Sequence, residues 1–305
     1  MYPIGLSLGT PNQREELFQQ CSEAGIQRVE ISTGRLTWLA SLDFPAMRRY
    51  ADQYGVELWS FHLPFLPFSL IDISSPNETV RSNTVALFIY LIRQAASVGI
   101  RHFVIHPSGE PIKEEERPLY MAAAKKSLAE LAEAAEAAGG VMAVENLPRT
   151  CLGRDSADIL ELISADERLR VCFDTNHLLD EDPEEFIRKV GNKIVTTHVS
   201  DYDRLDERHW LPGEGNTDWP ALPAALQQVG YEGAWLYELG FATPESIHRP
   251  RELTAADFVE NANTIFEGKQ PAPFGTPAEG LLHWKERARL RALEKAKGKS
   301  SGALR

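Results

Sequence analysis

Three cysteines in 305 residues, Cys21, Cys151 and Cys172, are scattered and odd in number, and none sits in a CxxC pair. That excludes a disulfide framework and a dithiol redox motif, and it suits a reducing compartment. No apolar run is long enough to span a bilayer, which takes about 20 residues as a helix. The opening MYPIGLSLGT lacks the basic segment and apolar core of a secretory leader, so the cytoplasm is the expected location and no membrane the expected partner. Positive charge is also short. Lys and Arg number 32 against 44 Asp and Glu, a net of −12, which favours small-molecule chemistry over a phosphate backbone. No GxGxxG follows the first apolar run. GEGNTDW carries two of those glycines, but late and on a loop, where it is weak evidence for phosphate binding. No solenoid-length repeat is present.

What the chain does have is alternation. Eight short runs rich in β-branched and aromatic residues are Ile4–Leu8, Arg28–Ile31, Glu57–His62, His102–His106, Val141–Glu145, Arg170–Asp174, Ile194–His198 and Ala234–Glu238. Each is too short to be a helix, and amphipathic helical stretches separate them. Ser75-Pro76-Asn77-Glu78 predicts a helix start with Ser75 as the cap. Asp182-Pro183-Glu184-Glu185 repeats that logic, and Thr254 with Asp257 offers a third start. Eight β units each followed by a helix predict an α/β fold, a single (β/α)8 TIM barrel, over residues 1–267. A doubly wound sheet is the structural alternative, although it usually needs fewer strands. Residues 268–305 read as a linker and a short basic C-terminal extension. They carry nine Lys and Arg against three Glu and predict a short helix in a solvated tail.

Chemistry in such barrels collects at the C-terminal ends of the strands. The third run ends in His62, the fourth in His106, the fifth in Glu145, the sixth in Asp174 with His177 just beyond, the seventh in His198 and the eighth in Glu238. His209 follows in ERHWLPGEG, so five of the eight histidines fall at one rim. Singly, each would be read as a structural histidine or a solvated rim charge, and Glu30 at the end of the second run is such a rim charge or a salt-bridge partner. Together they crowd carboxylates whose ionisation would be opposed without a cation. Mixed nitrogen and oxygen donors suit Mn²⁺, Zn²⁺, Co²⁺ or Fe²⁺, with Mg²⁺ also open as the divalent metal. Trp38, Phe65, Phe68 and Trp210 are candidate apolar walls.

In order along the chain, VEI, HLPF, IHP, VEN, FDTNH, HVSD, HWLPGEGNTDW and YEL resemble the xylose isomerase-like TIM-barrel superfamily over residues 2–266. The similarity is closest in feel to its sugar and sugar-phosphate isomerases and epimerases. That resemblance implies metal ligation by Glu145, Asp174, His198 and Glu238, and proton exchange with substrate by Glu145 and Glu238. It also implies sugar contacts from His177 and from an arginine at the spacing of Arg204, with Arg208 as the alternative. The expected activity is a metal-dependent isomerase or epimerase on a sugar, sugar phosphate or polyol, with His62, His106, Glu207 and His209 lining the mouth or holding a second metal. Endonuclease IV, a zinc enzyme acting on abasic DNA, belongs to the same superfamily. Its ligand pattern is matched at His62, His106, Glu145, Asp174, His177, His198, His209 and Glu238, with Glu207 in place of an aspartate. A hydrolase or lyase on the same barrel is therefore the alternative. The acidic barrel makes nucleic acid the less expected partner. A homo-oligomer is compatible with the sequence.

Overall fold

The computed structural model describes residues 1–302. Its strands are β1 (Ile4–Gly9), β2 (Arg28–Ser32), β3 (Glu57–His62), β4 (His102–Ile105), β5 (Val141–Glu145), β6 (Arg170–Asp174), β7 (Ile194–His198) and β8 (Trp235–Tyr237). All pair in parallel, in the order β7-β6-β5-β4-β3-β2-β1-β8. The ring closes just past the end of β7. There the Val199 N–H donates to Leu236 O at 2.8 Å and the Glu238 N–H donates to Val199 O at 3.1 Å. The expected (β/α)8 barrel is therefore what the chain forms.

Each strand is followed by a helix: α1 (Glu15–Ala24), α2 (Phe44–Tyr54), α3 (Glu78–Ser97), α4 (Arg117–Ala137), α5 (Ser156–Ile163), α6 (Pro183–Val190), α7 (Ala221–Gln228) and α8 (Ala255–Phe266). Strand side chains alternate between two faces. Phe103, Met142, Val144, Val171 and Phe173 turn outward and join Leu91, Leu128, Leu162 and Phe186 of the helices in one buried cluster. The intervening Val104, Ala143 and Cys172 form a separate cluster on the other face, as do Trp59, Ala234 and Leu236. Two residues further along, the same inward face presents Glu145, Asp174 and Glu238 at the strand ends.

Helix starts follow local chemistry. Asp182 Oδ1 accepts from the N–H groups of Glu184 and Glu185 at 3.0 and 3.2 Å, with Pro183 opening α6. Thr254 and Asp257 form a reciprocal capping box at α8, with the Thr254 N–H on Asp257 Oδ2 at 2.7 Å. The start of α3 differs from the sequence reading. Asn77 is the cap, accepting from the Thr79 N–H at 3.0 Å, while Ser75 Oγ accepts from the Asn77 N–H at 3.3 Å. An asparagine closer to the first turn displaces the serine, since both residue types cap well.

The segment after α8 runs along the barrel rim. Gln270 Nε2 donates to Thr217 O at 3.0 Å, and its Oε1 accepts from the Trp219 N–H at 3.0 Å. A two-residue strand β9 (Ile247–His248) pairs antiparallel with β10 (Thr276–Pro277). The Trp284 N–H donates to Leu205 O at 2.9 Å. There α9 (Trp284–Gly302) begins, a 19-residue helix, longer than the short one the sequence suggested. Among the described residues no helix is long and apolar enough to cross a membrane.

Candidate active site

Strand register brings the acidic and imidazole side chains together. Asp174 on β6 is the direct neighbour of His198 on β7, and Glu145 on β5 pairs beside Cys172 on β6. All three functional groups are fully buried. His198 Nδ1 lies 2.9 Å from Glu145 Oε1, 3.4 Å from Glu238 Oε2 and 3.9 Å from Asp174 Oδ2. Three carboxylates thus converge on one ring nitrogen. Its other nitrogen, Nε2, lies 3.1 Å from both oxygens of Glu30. Glu30 is the salt-bridge partner rather than a rim charge: it is buried and also accepts from Ser7 Oγ at 2.9 Å and Ser60 Oγ at 2.8 Å.

The other histidines surround this centre. His62 Nε2 and His106 Nε2 approach Glu145 Oε2 at 3.0 and 3.2 Å. His177 Nε2 faces Glu207 Oε2 at 3.5 Å. In three rings Nδ1 is committed to a backbone carbonyl: His62 to Leu63 O and His177 to Asn146 O, both at 2.8 Å, and His209 to Glu238 O at 3.0 Å. With Nδ1–H donating, Nε2 of each ring is turned away from the backbone, the orientation that ligating histidines adopt; in His62 it carries a proton donated to Glu145 Oε2. Ligand atoms lie within 4.8 Å of one another in each of three groups: His62, Glu145, His198 and Glu238; Glu145, Asp174 and His177; and His177, Glu207 and His209.

The electrostatics are strained in a way a cation would relieve. Burial, and then the charges of Glu238 and Glu145, push the Asp174 carboxyl well above the usual range. Asp174 Oδ1 accepts from the Asn176 N–H at 2.6 Å, whereas its Oδ2 is buried with no hydrogen-bond partner among the described residues. A buried acceptor left unpaired costs about 1–3 kcal/mol. Burial disfavours a charged His198 ring, yet Cys172, Glu238, Glu30 and Glu145 hold its pKa well above the ordinary value. His62 behaves likewise, lifted to about 9 against burial by Glu145, Glu30 and Glu238. Burial also opposes ionisation of Glu207, but His177, Arg149 and His209 bring it down to about 2. These mixed nitrogen and oxygen donors and the orphaned oxygen have the chemistry to hold a divalent cation. Of the four ligands that the resemblance implies, Glu145, His198 and Glu238 group with His62, whereas Asp174 groups with Glu145 and His177.

An inner cavity of about 260 Å³ opens onto this centre, lined by Phe65, Phe68, His106, His177, Glu207, His209 and Glu238 among others. Phe65 stacks on His106, ring centres 4.2 Å apart. Of the four expected apolar walls, Phe65 and Phe68 line the cavity. Trp210 is buried with its Nε1 donating to Ser246 Oγ at 2.9 Å, and Trp38 is a surface residue, 37% exposed. Neither candidate arginine lines the cavity. The Arg204 guanidinium lies over the Tyr202 ring at 5.7 Å, and Arg208 pairs with Asp203 at 2.8 Å. The cation at the mouth is Arg149, bonded to Glu110 at 2.7 Å, Asp206 at 2.8 Å and Glu207 at 3.1 Å. Sequence reasoning missed Arg149 and Glu110. The available signal was position: Arg149 follows Glu145 within the loop after β5, at the functional end of the barrel.

Residues 18–257 match the family model described as xylose isomerase-like TIM barrel. The chain is 27% identical to the uncharacterized protein MJ1311 of Methanocaldococcus jannaschii over 235 residues, 73% of this chain and 78% of that one. It is 29% identical to a D-psicose 3-epimerase of Enterocloster bolteae over 126 residues, 38% of this chain and only 39% of that enzyme. Among solved structures, a D-tagatose 3-epimerase-like protein shares the fold with a TM-score of 0.71 at 23% identity, over 86% of this chain and 96% of that one.

Proposed function

The chain belongs to the xylose isomerase-like TIM-barrel family, and from that premise we propose that it is a metal-dependent isomerase or epimerase of a sugar, sugar phosphate or related polyol. The observation that carries this reading is the convergence of Glu145, Asp174 and Glu238 within 3.9 Å of His198 Nδ1, with the Asp174 Oδ2 acceptor orphaned beside them. The named activity of the partly matching D-psicose 3-epimerase supports the same class of substrate.

Glu145, Asp174, His198 and Glu238 would hold the ion. When bound, a divalent metal supplies Lewis acidity that lowers the pKa of the C–H beside a carbonyl and offsets charge on an enediolate. Proton transfer falls to the carboxylates. Glu238 is the more open of the two proposed bases, its side chain 21% exposed while that of Glu145 is fully enclosed. Glu238 therefore removes or returns the proton on the cavity side. Glu145, held by His62 and His106, serves the opposite face. Two bases on two faces invert a centre, and one base acting alone gives aldose–ketose isomerisation. His177 and His209, whose Nδ1–H groups are committed to the Asn146 and Glu238 carbonyls, turn Nε2 acceptors toward substrate hydroxyls, and Phe65 and Phe68 keep water from the reacting carbon.

One observation favours the hydrolase reading: His177, Glu207 and His209 form a further group of ligand type beside the first. Against it, Arg149 at the mouth is engaged by Glu110, Asp206 and Glu207 and is not free to neutralise phosphates, as nucleic acid binding requires. The deciding experiment incubates the metal-loaded and the chelated protein with a panel of ketoses in heavy water and reads proton NMR. Metal-dependent loss of the signal beside the carbonyl is expected, and a panel inert at every metal would sink the reading.

A further inference from the structure

The inner cavity does not end at the barrel mouth. It continues into an outer groove of about 920 Å³, and the two share Phe68, Glu110, Arg149 and Glu207 as walls. The far wall is α9, through Trp284, Arg287, Ala288, Arg291 and Ala292. This wall is anchored to the rim by the Trp284 N–H on Leu205 O and by an ion pair between Arg287 and the buried Asp206. Trp284 Nε1 is a buried donor with no hydrogen-bond partner among the described residues.

Size separates the two spaces. At about 260 Å³ the inner cavity falls short of the ~300–1,000 Å³ that houses a drug-sized ligand, so it suits one sugar unit. The groove leaves room for more. Charge then selects what the additional group is. Arg149 is shared among Glu110, Asp206 and Glu207, and Arg287 faces Asp206. Arg291 on the same wall brings the guanidiniums to three, against the three carboxylates Glu110, Glu207 and Asp206, so the groove is balanced overall. A phosphate would gain Arg291 but would meet Glu110 and Glu207 and compete with Asp206 for the other two cations. A neutral group rich in hydroxyls meets guanidinium donors, carboxylate acceptors and the flat faces of Phe68 and Trp284, all without a net charge to oppose it. Resting on the carbohydrate reading above, we propose that the groove between the barrel mouth and α9 is a subsite for a second, neutral glycosyl unit carried by the reacting sugar.

Three probes share one ketose and differ in a single substituent: fructose, isomaltulose with a neutral glucosyl group at O6, and fructose 6-phosphate with a dianion there. Binding to the full-length, metal-loaded protein is measured by titration calorimetry, independently of turnover. Isomaltulose is expected to bind at least 10-fold more tightly than fructose. Trp284→Ala should erase that advantage and leave fructose unchanged. Ala288→Trp, at an exposed position on the groove wall, should do the same by filling the groove, and circular dichroism confirms that both variants fold. Equal affinity for fructose and isomaltulose, or tighter binding of fructose 6-phosphate than of isomaltulose, overturns the proposal. Deuterium exchange at the ketose, read in parallel, tests the carbohydrate activity separately.

Discussion

The imidazole of His198 is held between opposed carboxylates, with Glu30 3.1 Å from Nε2 and Glu145 2.9 Å from Nδ1. If Nε2 donates its proton to Glu30, Nδ1 keeps the lone pair that a cation needs, and the acceptor behind the ring raises its basicity. Glu30→Gln keeps the shape and removes the charge. Its divalent-metal affinity should fall about 10- to 100-fold, read by competition with a chromophoric chelator. An affinity equal to the parent would assign Glu30 a packing role only.

Asp174 gives a prediction of opposite sign for the apo and metal-bound protein. Its folded pKa is raised, so protonation favours the fold. That contribution is fully present below the unfolded carboxylate value of about 3.9 and is lost as pH rises toward the folded value. At pH 7 the metal-free protein therefore carries the penalty, and Asp174→Asn should raise its Tm by about 2 °C, equivalent to ~1 kcal/mol. The same variant should lose most of the Tm increase that metal gives the parent. Thermal scans with and without chelator, at pH 5 and pH 7, check both halves. A lower Tm for the metal-free variant at pH 7 contradicts the assignment.

Glu145→Gln and Glu238→Gln should each lower interconversion of a turned-over ketose at least 1,000-fold, because an amide does not accept a proton at neutral pH. General acid–base groups typically contribute about 10²–10⁴-fold. In a two-base site each variant should still exchange the proton that faces its remaining carboxylate. Metal content is measured beside activity, since both residues are proposed ligands. Full activity in either metal-loaded variant removes it from the proton path. Turnover without solvent deuterium points instead to a hydride shift.

A duplex containing an abasic site should remain uncut after incubation with the zinc-loaded protein, and binding to it should weaken steeply with salt. The acidic balance of the chain and the engaged Arg149 motivate this expectation. Zinc-dependent incision would promote the hydrolase reading.

Strand ends are readable because each parallel strand of the barrel is short and mostly apolar, and several finish on a titratable residue. His62, Glu145, Asp174 and His198 each end a strand in the fold. Alternation in steps of two predicts that Glu145 and Asp174 share the inward face, and the structure gathers them. Loop residues were harder. Arg204 stood at a plausible spacing, but it adopts a φ of 61°, and its side chain packs over Tyr202. The path of a loop depends on such backbone turns, which spacing does not encode. Glu30 was ambiguous for another reason. Its partner His198 lies across the barrel, 168 residues away in sequence, and local pattern carries no information about that pairing.

Asp206 sits fully buried between Arg149 from the β5 loop and Arg287 from α9. The rim of the cavity is thus braced by a residue outside the eight β/α units. The contact joins the loops after β5 and β7 to a helix that lies beyond the last β/α unit. The outline of the entrance is thereby set in part by a helix that carries none of the groups gathered at the strand ends.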